Sequence, residues 1–441
     1  MALFVSACGA VGEMPRDDAP LMDDAAVPME DAAADADAAP PAPEPVEVSV
    51  SGMNGSNHSC ARISNGRVFC WGANTIGQTG FAPAPLDSVG PGEVMLPAGT
   101  QPAGLVVAKS VQSDLIAFSC VLGADGKAHC WGSNSAGELG RGTFDSLAHP
   151  QPLAVVDSVG DALTGITGVA LGGRYGCALV GTQVRCWGTD IGCAATGNAD
   201  AEGQCLTTSG SILTRPVAVA NVPASSEIAT GAATTCAVAV TGDGVTCWGN
   251  NKYAASGNPA VTTQQDFPPT SVALTGVTQI SQIVLGSAHA CVVAAGRVHC
   301  WGQNNAGQIG TTGINGNVAA PFELTALAGH THLTAGGFNV CAYTPSDPSG
   351  ALVCLGANTN GQLGTGAADF DDHPMPASVT NLTDIASASI GGSHACAVAR
   401  LRTDPAGAPR RVFCWGKNTA GQVTQPPSPN VLAPVEIALP L

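Results

Sequence analysis

Apolar positions along the chain fall in short β-type runs broken by turns that contain Gly, Asn or Pro. In CARISNGRVFC at 60–70 and CVVAAGRVHC at 291–300, such residues flank a turn, which predicts a hairpin with a cysteine on each arm. The hairpin recurs. Trp-Gly follows it at Trp71, Trp131, Trp187, Trp248, Trp301 and Trp415, and Leu355-Gly356 occupies the sixth of seven places. Successive intervals are 60, 56, 61, 53, 54 and 60 residues. That is one module of about 50 residues, the length of a propeller blade. After each Trp-Gly an Asn/Gly-rich loop is expected to turn tightly, as in GANTIGQTG at 72–80 and GANTNGQLG at 356–364. A Pro-containing β run, as at Arg215-Pro216-Val217, is expected to open the next unit, giving about four strands per repeat.

The cysteines pair by position within the repeats: Cys60 with Cys70, Cys120 with Cys130, Cys177 with Cys186, Cys236 with Cys247, Cys291 with Cys300, Cys341 with Cys354, and Cys396 with Cys414. Residues equidistant from a hairpin turn face each other, so each pair is expected to form a cross-strand disulfide at a Cα separation near ~5.5 Å. The chain has 17 cysteines. Removing these fourteen leaves Cys193 and Cys205, which flank an insertion in the third repeat, and Cys8. Such parity predicts an oxidising compartment. Structural zinc would call for Cys-x2-Cys pairs, and none is present.

Cys8 ends the run Val5-Ser6-Ala7-Cys8, which resembles the lipidation site of a bacterial lipoprotein, although the apolar stretch before it is shorter than a full signal. The expectation is a signal remnant at 1–8, with the natural start upstream, then an extended acidic Ala/Asp/Pro linker at 9–46, then a propeller at 47–441. Gly9 rather than Asp after Cys8 points to the outer membrane over the inner. Residues 1–47 carry eleven acids against Arg16, so most of the net charge of -17 sits there. The reading finds no Lys/Arg cluster anywhere along the chain, and nucleic acid is not an expected partner. No apolar run reaches the ~18 residues of a membrane span, so membrane association is expected only through the lipid.

The set His-x-Cys-Ala followed by Cys-Trp-Gly-x-Asn-x-x-Gly-Gln-Leu-Gly resembles the regulator of chromosome condensation repeat family, over residues 47–441. The resemblance implies an all-β, seven-bladed propeller. Val46–Val50 lacks the opening strand, and Val431–Leu441 looks like an opening strand without a hairpin, so the two ends are expected to share a blade and close the ring. The family's founding member is a GTPase exchange factor, whereas a propeller fold hosts many functions.

Candidate chemistry is sparse. His58, His289 and His394 stand at one repeat position, filled elsewhere by Phe118, Tyr175, Thr234 and Asn339, and are expected to pack or to bond the hairpin. Asp125 and Asp243 sit in Asp-Gly turns, and no phosphate loop or nucleophile motif appears. The expectation is therefore no catalytic residue, no metal and no cofactor. The loop Asp190–Leu206, clamped by Cys193 and Cys205 and carrying Asn198, Asp200 and Glu202, departs from the repeat and is the expected contact surface. The reading is a monomeric binding module or scaffold of the cell envelope, or a secreted form, with a protein or glycan partner. A polysaccharide-active enzyme is the alternative, and an intracellular exchange factor or ubiquitin-pathway scaffold the third.

Overall fold

A computed structural model describes residues 42–51, 57–83, 88–108, 117–190, 196, 211–262, 266–311, 316–345 and 347–441. The chain divides into two compact units, Met1–Ala42 and Pro43–Leu441, and the architecture is that of the second. Cys8 and the linker as far as residue 41 lie outside the described residues.

Twenty-eight strands form seven antiparallel sheets of four, each built from strands consecutive in sequence. Blades 1 to 7 begin at the inner strands Pro45–Val50, Pro102–Val107, Ile166–Leu171, Ser225–Thr230, Ile280–Leu285, His332–Gly336 and Leu382–Ile390. They end at the outer strands Ser88–Glu93, Asp145–Ala154, Ile212–Ala218, Asp266–Ser271, Val318–Glu323, His373–Ser378 and Val431–Ile437. Each inner strand packs beside that of the next blade, and the last packs beside the first, so a ring of seven closes.

Two expectations about the repeat boundary are corrected. The Pro-containing run ends its blade instead of opening the next: Ile212–Ala218 pairs with Gln183–Thr189 of the same repeat. The chain ends likewise share no blade, because Val431–Ile437 pairs with Arg411–Gly416 in blade 7 while Pro45–Val50 pairs with His58–Ile63 in blade 1. The reason lies in the prolines. All seven outer strands carry at least one, including Pro91, Pro216, Pro321 and Pro434. Proline lacks the N–H that an inner or middle strand must donate, and at an exposed edge it also blocks pairing with a foreign strand.

The two middle strands of every blade are joined by the expected disulfide, with Cα atoms 4.0 to 4.1 Å apart. This is tighter than expected, because the cysteines occupy the close-spaced sites of the antiparallel ladder. The core consists of seven seams, each built around the disulfide of one blade and the Trp-position residue of the next. Cys60 and Cys70 cluster with Trp131, Cys120 and Cys130 with Trp187, Cys177 and Cys186 with Trp248, and Cys236 and Cys247 with Trp301. Cys291 and Cys300 meet Leu355, Cys341 and Cys354 meet Trp415, and Cys396 and Cys414 meet Trp71. Burying ~200 Å² per indole contributes about 5 kcal/mol per seam as an upper bound.

The glycine after each Trp is required sterically. Gly132 has φ +110°, and a Cβ there would stand 2.5 Å from the Ala117 carbonyl oxygen. The backbone passes too close for any side chain.

Candidate functional site

The repeat motif turns out to be a fastening between blades. In every blade but the third, an Asn side-chain oxygen in the loop after the Trp-Gly or Leu-Gly pair accepts the N–H five residues on, as with Asn74 and Thr79, Asn134 and Leu139, and Asn358 and Leu363. Three residues beyond it the backbone is left-handed, at Gly77, Gly137, Gly307, Gly361 and Gly421, and at Ala254 in blade 4 with φ +61°. The next residue holds the loop with its side chain, except for Ala255 in blade 4, and its carbonyl latches the following blade wherever that blade has the indole. Trp131 Nε1 donates to the Gln78 oxygen at 2.9 Å, Trp187 to Glu138 at 2.7 Å, Trp301 to Ala255 at 3.1 Å and Trp415 to Gln362 at 2.9 Å. Trp71 of blade 1 donates to Gln422 of blade 7 at 2.9 Å, which carries the pattern across the ring closure.

The histidines bridge blades too, beyond the packing or hairpin bonding expected of them. His58 Nε2 lies 2.7 Å from Ser119 Oγ of blade 2, and His394 Nε2 lies 2.9 Å from Ser59 Oγ of blade 1. Ser59 then donates to the Gln422 oxygen at 3.0 Å. Tyr175 donates across the seam from blade 3 to the Thr234 oxygen of blade 4. His289 Nε2 lies 3.3 Å from the Asn339 oxygen of blade 6. Burial, with His58 beside it, pushes the His394 imidazole down to about 3, so it is neutral at physiological pH. Sequence reasoning could not find these pairings, since the partners lie up to 363 residues apart.

Inner strands are joined by the same economy of polar groups. Ser387 and Ser389 accept the Val48 and Val50 N–H groups, Ser49 accepts that of Val107, Gln282 that of Leu333, and Thr334 that of Ile390. Glu47 accepts the Leu105 N–H and pairs with Arg62 at 2.7 Å. Glu227, at the matching place in blade 4, accepts the Ile283 N–H at 3.1 Å, but Val238 stands where blade 1 has Arg62. Burial pushes its carboxyl up to about 7.

At the expected contact loop, Asp190 is fully buried. Its carboxylate accepts the Thr196 N–H at 3.1 Å and the Thr196 hydroxyl at 2.6 Å, and its own N–H donates to the Ser211 oxygen. It anchors the base of the loop. Beside it, the Asp266 carboxyl is pushed up chiefly by burial and further by the Asp190 charge. Cys193, Cys205, Asn198, Asp200 and Glu202 lie outside the described residues. Asp190 itself follows the third strand, at the end of the blade from which the links between third and outer strands depart.

Blade 7 holds what sequence reading overlooked. The segment RLRTDPAGAPRR at 400–411 contains Arg400, Arg402, Arg410 and Arg411, so the expectation of no basic cluster is corrected. Three of the four are held by Asp384, Asp404 and Glu436. Among the described residues, no group of three or more His, Cys, Asp or Glu side chains is placed to hold a metal ion, and no helix is long and apolar enough to cross a membrane.

The regulator of chromosome condensation (RCC1) repeat profile matches residues 125–179 and 349–398, and a second profile of that description matches 48–78 and 280–308. The ultraviolet-B receptor UVR8 of Arabidopsis thaliana is 26% identical over 375 residues, covering 84% of this chain and 77% of that protein. The human probable E3 ubiquitin-protein ligase HERC6 is 33% identical over 140 residues, 31% of this chain and 12% of that protein. A chain in the crystal structure of Kap60 bound to yeast RCC1 (Prp20) superposes with a TM-score of 0.67 at 19% identity, covering 84% of this chain and 83% of that one. Human WBSCR16 does so at 0.62 and 21%, covering 81% and 87%. These two show the fold. Sheet topology and superposition agree on a seven-bladed β-propeller, and the RCC1 repeat profiles match four stretches of it.

Proposed function

We propose that the protein is a non-catalytic recognition propeller of the bacterial cell envelope, tethered through a lipid on Cys8, that presents the loop Asp190–Leu206 to a protein or glycan partner. The observation that carries this reading is the set of seven disulfides buried in the seams, since such bonds persist in oxidising compartments and are rare in reducing ones. A receptor among the relatives, aligned over 84% of this chain, fits a recognition role. The buried Asp190 anchor supports the choice of loop, because a loop with a fixed base loses less entropy on binding.

Two measurements test this. Intact mass of the native protein, alkylated under denaturing conditions without reductant, should show all cysteines blocked and a diacylglycerol adduct on Cys8. Free thiols and no lipid would refute the compartment. Replacing residues 191–210 by a short Gly/Ser link should abolish capture of envelope components while the rest of the propeller stays folded. Undiminished capture would remove the loop from the site.

A further inference from the structure

The turn between the middle strands of blade 7 is the longest of its kind among the described residues: Cys396 and Cys414 are 18 residues apart, against 13 in blade 6 and 9 to 11 in the other blades. Its arginines are arranged around a distorted backbone. Asp384 is held at φ +50° inside a register break of the inner strand, between Thr383 and Ser387. A non-glycine residue adopts that conformation only when its surroundings impose it. There its buried carboxylate is divided between two guanidinium groups, with Arg400 Nη1 at 3.0 Å and Arg410 Nη2 at 2.8 Å. Arg411 is taken by Asp404 and Glu436.

This leaves donors over. Arg400 Nε and Arg410 Nε are buried and have no acceptor among the described residues. Arg402 is exposed, and no carboxylate among the described residues pairs with it. Beside them a cleft of about 540 Å³ opens between the long turns of blades 6 and 7, lined by Arg400 and Arg402 and walled by Pro348, Leu401, Pro405 and Ala406. Asp384 and Asp404 also line it, but each is neutralised by the arginines that hold it.

We propose that this cleft binds an acidic peptide segment, with one carboxylate seated against the exposed guanidinium of Arg402. A guanidinium offers a planar fork of donors that matches a carboxylate, and the proline and alanine walls fit the chain on either side of it. The volume lies within the range of pockets that take a few residues. The site is in blade 7 and its neighbour blade 6, and stands independently of the loop of blade 3.

The test is calorimetric titration of the full chain at low salt with the capped peptide Asp-Glu-Pro-Asp-Glu, and in parallel with inorganic phosphate and with an oligogalacturonate. The peptide should bind, R402A should weaken it about tenfold and R402K by less, because Lys keeps the charge and loses the fork. R185A removes a partly buried arginine of blade 3, remote from the cleft, and should bind like the unaltered protein. Arg402 pairs with no described carboxylate, so the melting temperature of R402A should be unchanged. Absence of peptide binding, equal affinity in R402A, or tighter binding of phosphate or oligogalacturonate than of the peptide would each overturn the proposal.

Discussion

The seam between blades 7 and 1 and the seam between blades 5 and 6 solve one problem by opposite means. No peptide link crosses from blade 7 to blade 1. Trp71 and Ser59 both bond the Gln422 oxygen there, His394 bonds Ser59, Ser387 and Ser389 bond Val48 and Val50, and Ser88 bonds the Ala420 oxygen. Between blades 5 and 6 the chain itself crosses, and Leu355 replaces the indole, so that latch is missing. A short 3-10 turn, Thr325–Leu327, lies in the crossing, and Leu324 and Leu327 pack into the space around Leu355. Covalent continuity tolerates the loss of a specific bond when apolar volume is restored. Where continuity is absent, directional bonds hold the closure.

The strongest way to break this comparison is to impose the second arrangement on the first. Trp71→Leu should cost about 4 kcal/mol in urea unfolding, through lost burial and the loss of one of the two hydrogen bonds to the Gln422 carbonyl. A loss under ~1 kcal/mol would mean that the closing seam does not depend on its latch.

A third seam sharpens the point through pH. Glu227 has a folded pKa of about 7 against 4.5 unfolded, so the folded state holds the proton more tightly. Its contribution is fully present below pH ~4.5 and is lost as pH rises through about 7. Glu227→Gln should therefore raise stability by up to about 3 kcal/mol at alkaline pH and change little in acid. Glu47 has Arg62 as its partner, so a gain of the same pH dependence from Glu47→Gln would show that the counter-ion is not what separates the two seams. Thermal melts at several pH values decide it.

Ser59→Ala should cost about 2 kcal/mol, since it strips a buried acceptor and donor from between His394 and Gln422. Denaturant midpoints should resolve the loss, and an unchanged midpoint would exclude the relay from the closure. The smallest effect has the opposite sign. Ala254 holds the left-handed position that other loops give to glycine, so Ala254→Gly should stabilise by about 1 kcal/mol, and a measured loss would mean that its methyl packs usefully.

Much of the fold was legible because each repeat states its own local needs. Paired cysteines, a turn between them and Trp-Gly specify the hairpin without reference to any other residue. What crosses from one repeat to another was not legible. Nothing near His394 in the sequence names Ser59, and nothing near Glu227 reveals that Val238 replaces an arginine. The Pro-containing run was misplaced for a related reason: it reads as a strand in isolation, and only its pairing tells that it is the outer one. The arginines at 400–411 were in plain view, but only the backbone at Asp384 shows that they converge.

The disulfides, described above as the centres of the seams, also bear on how the chain is made. Every partner lies 9 to 18 residues from its mate, while the contacts that close the ring span nearly the whole chain. A chain emerging into an oxidising space can complete each bond within a single hairpin, before the next repeat has appeared, so correct pairing never requires a search among distant thiols. The covalent cross-links therefore ask nothing of the order in which blades assemble, and only the docking of the last blade onto the first requires the whole ring.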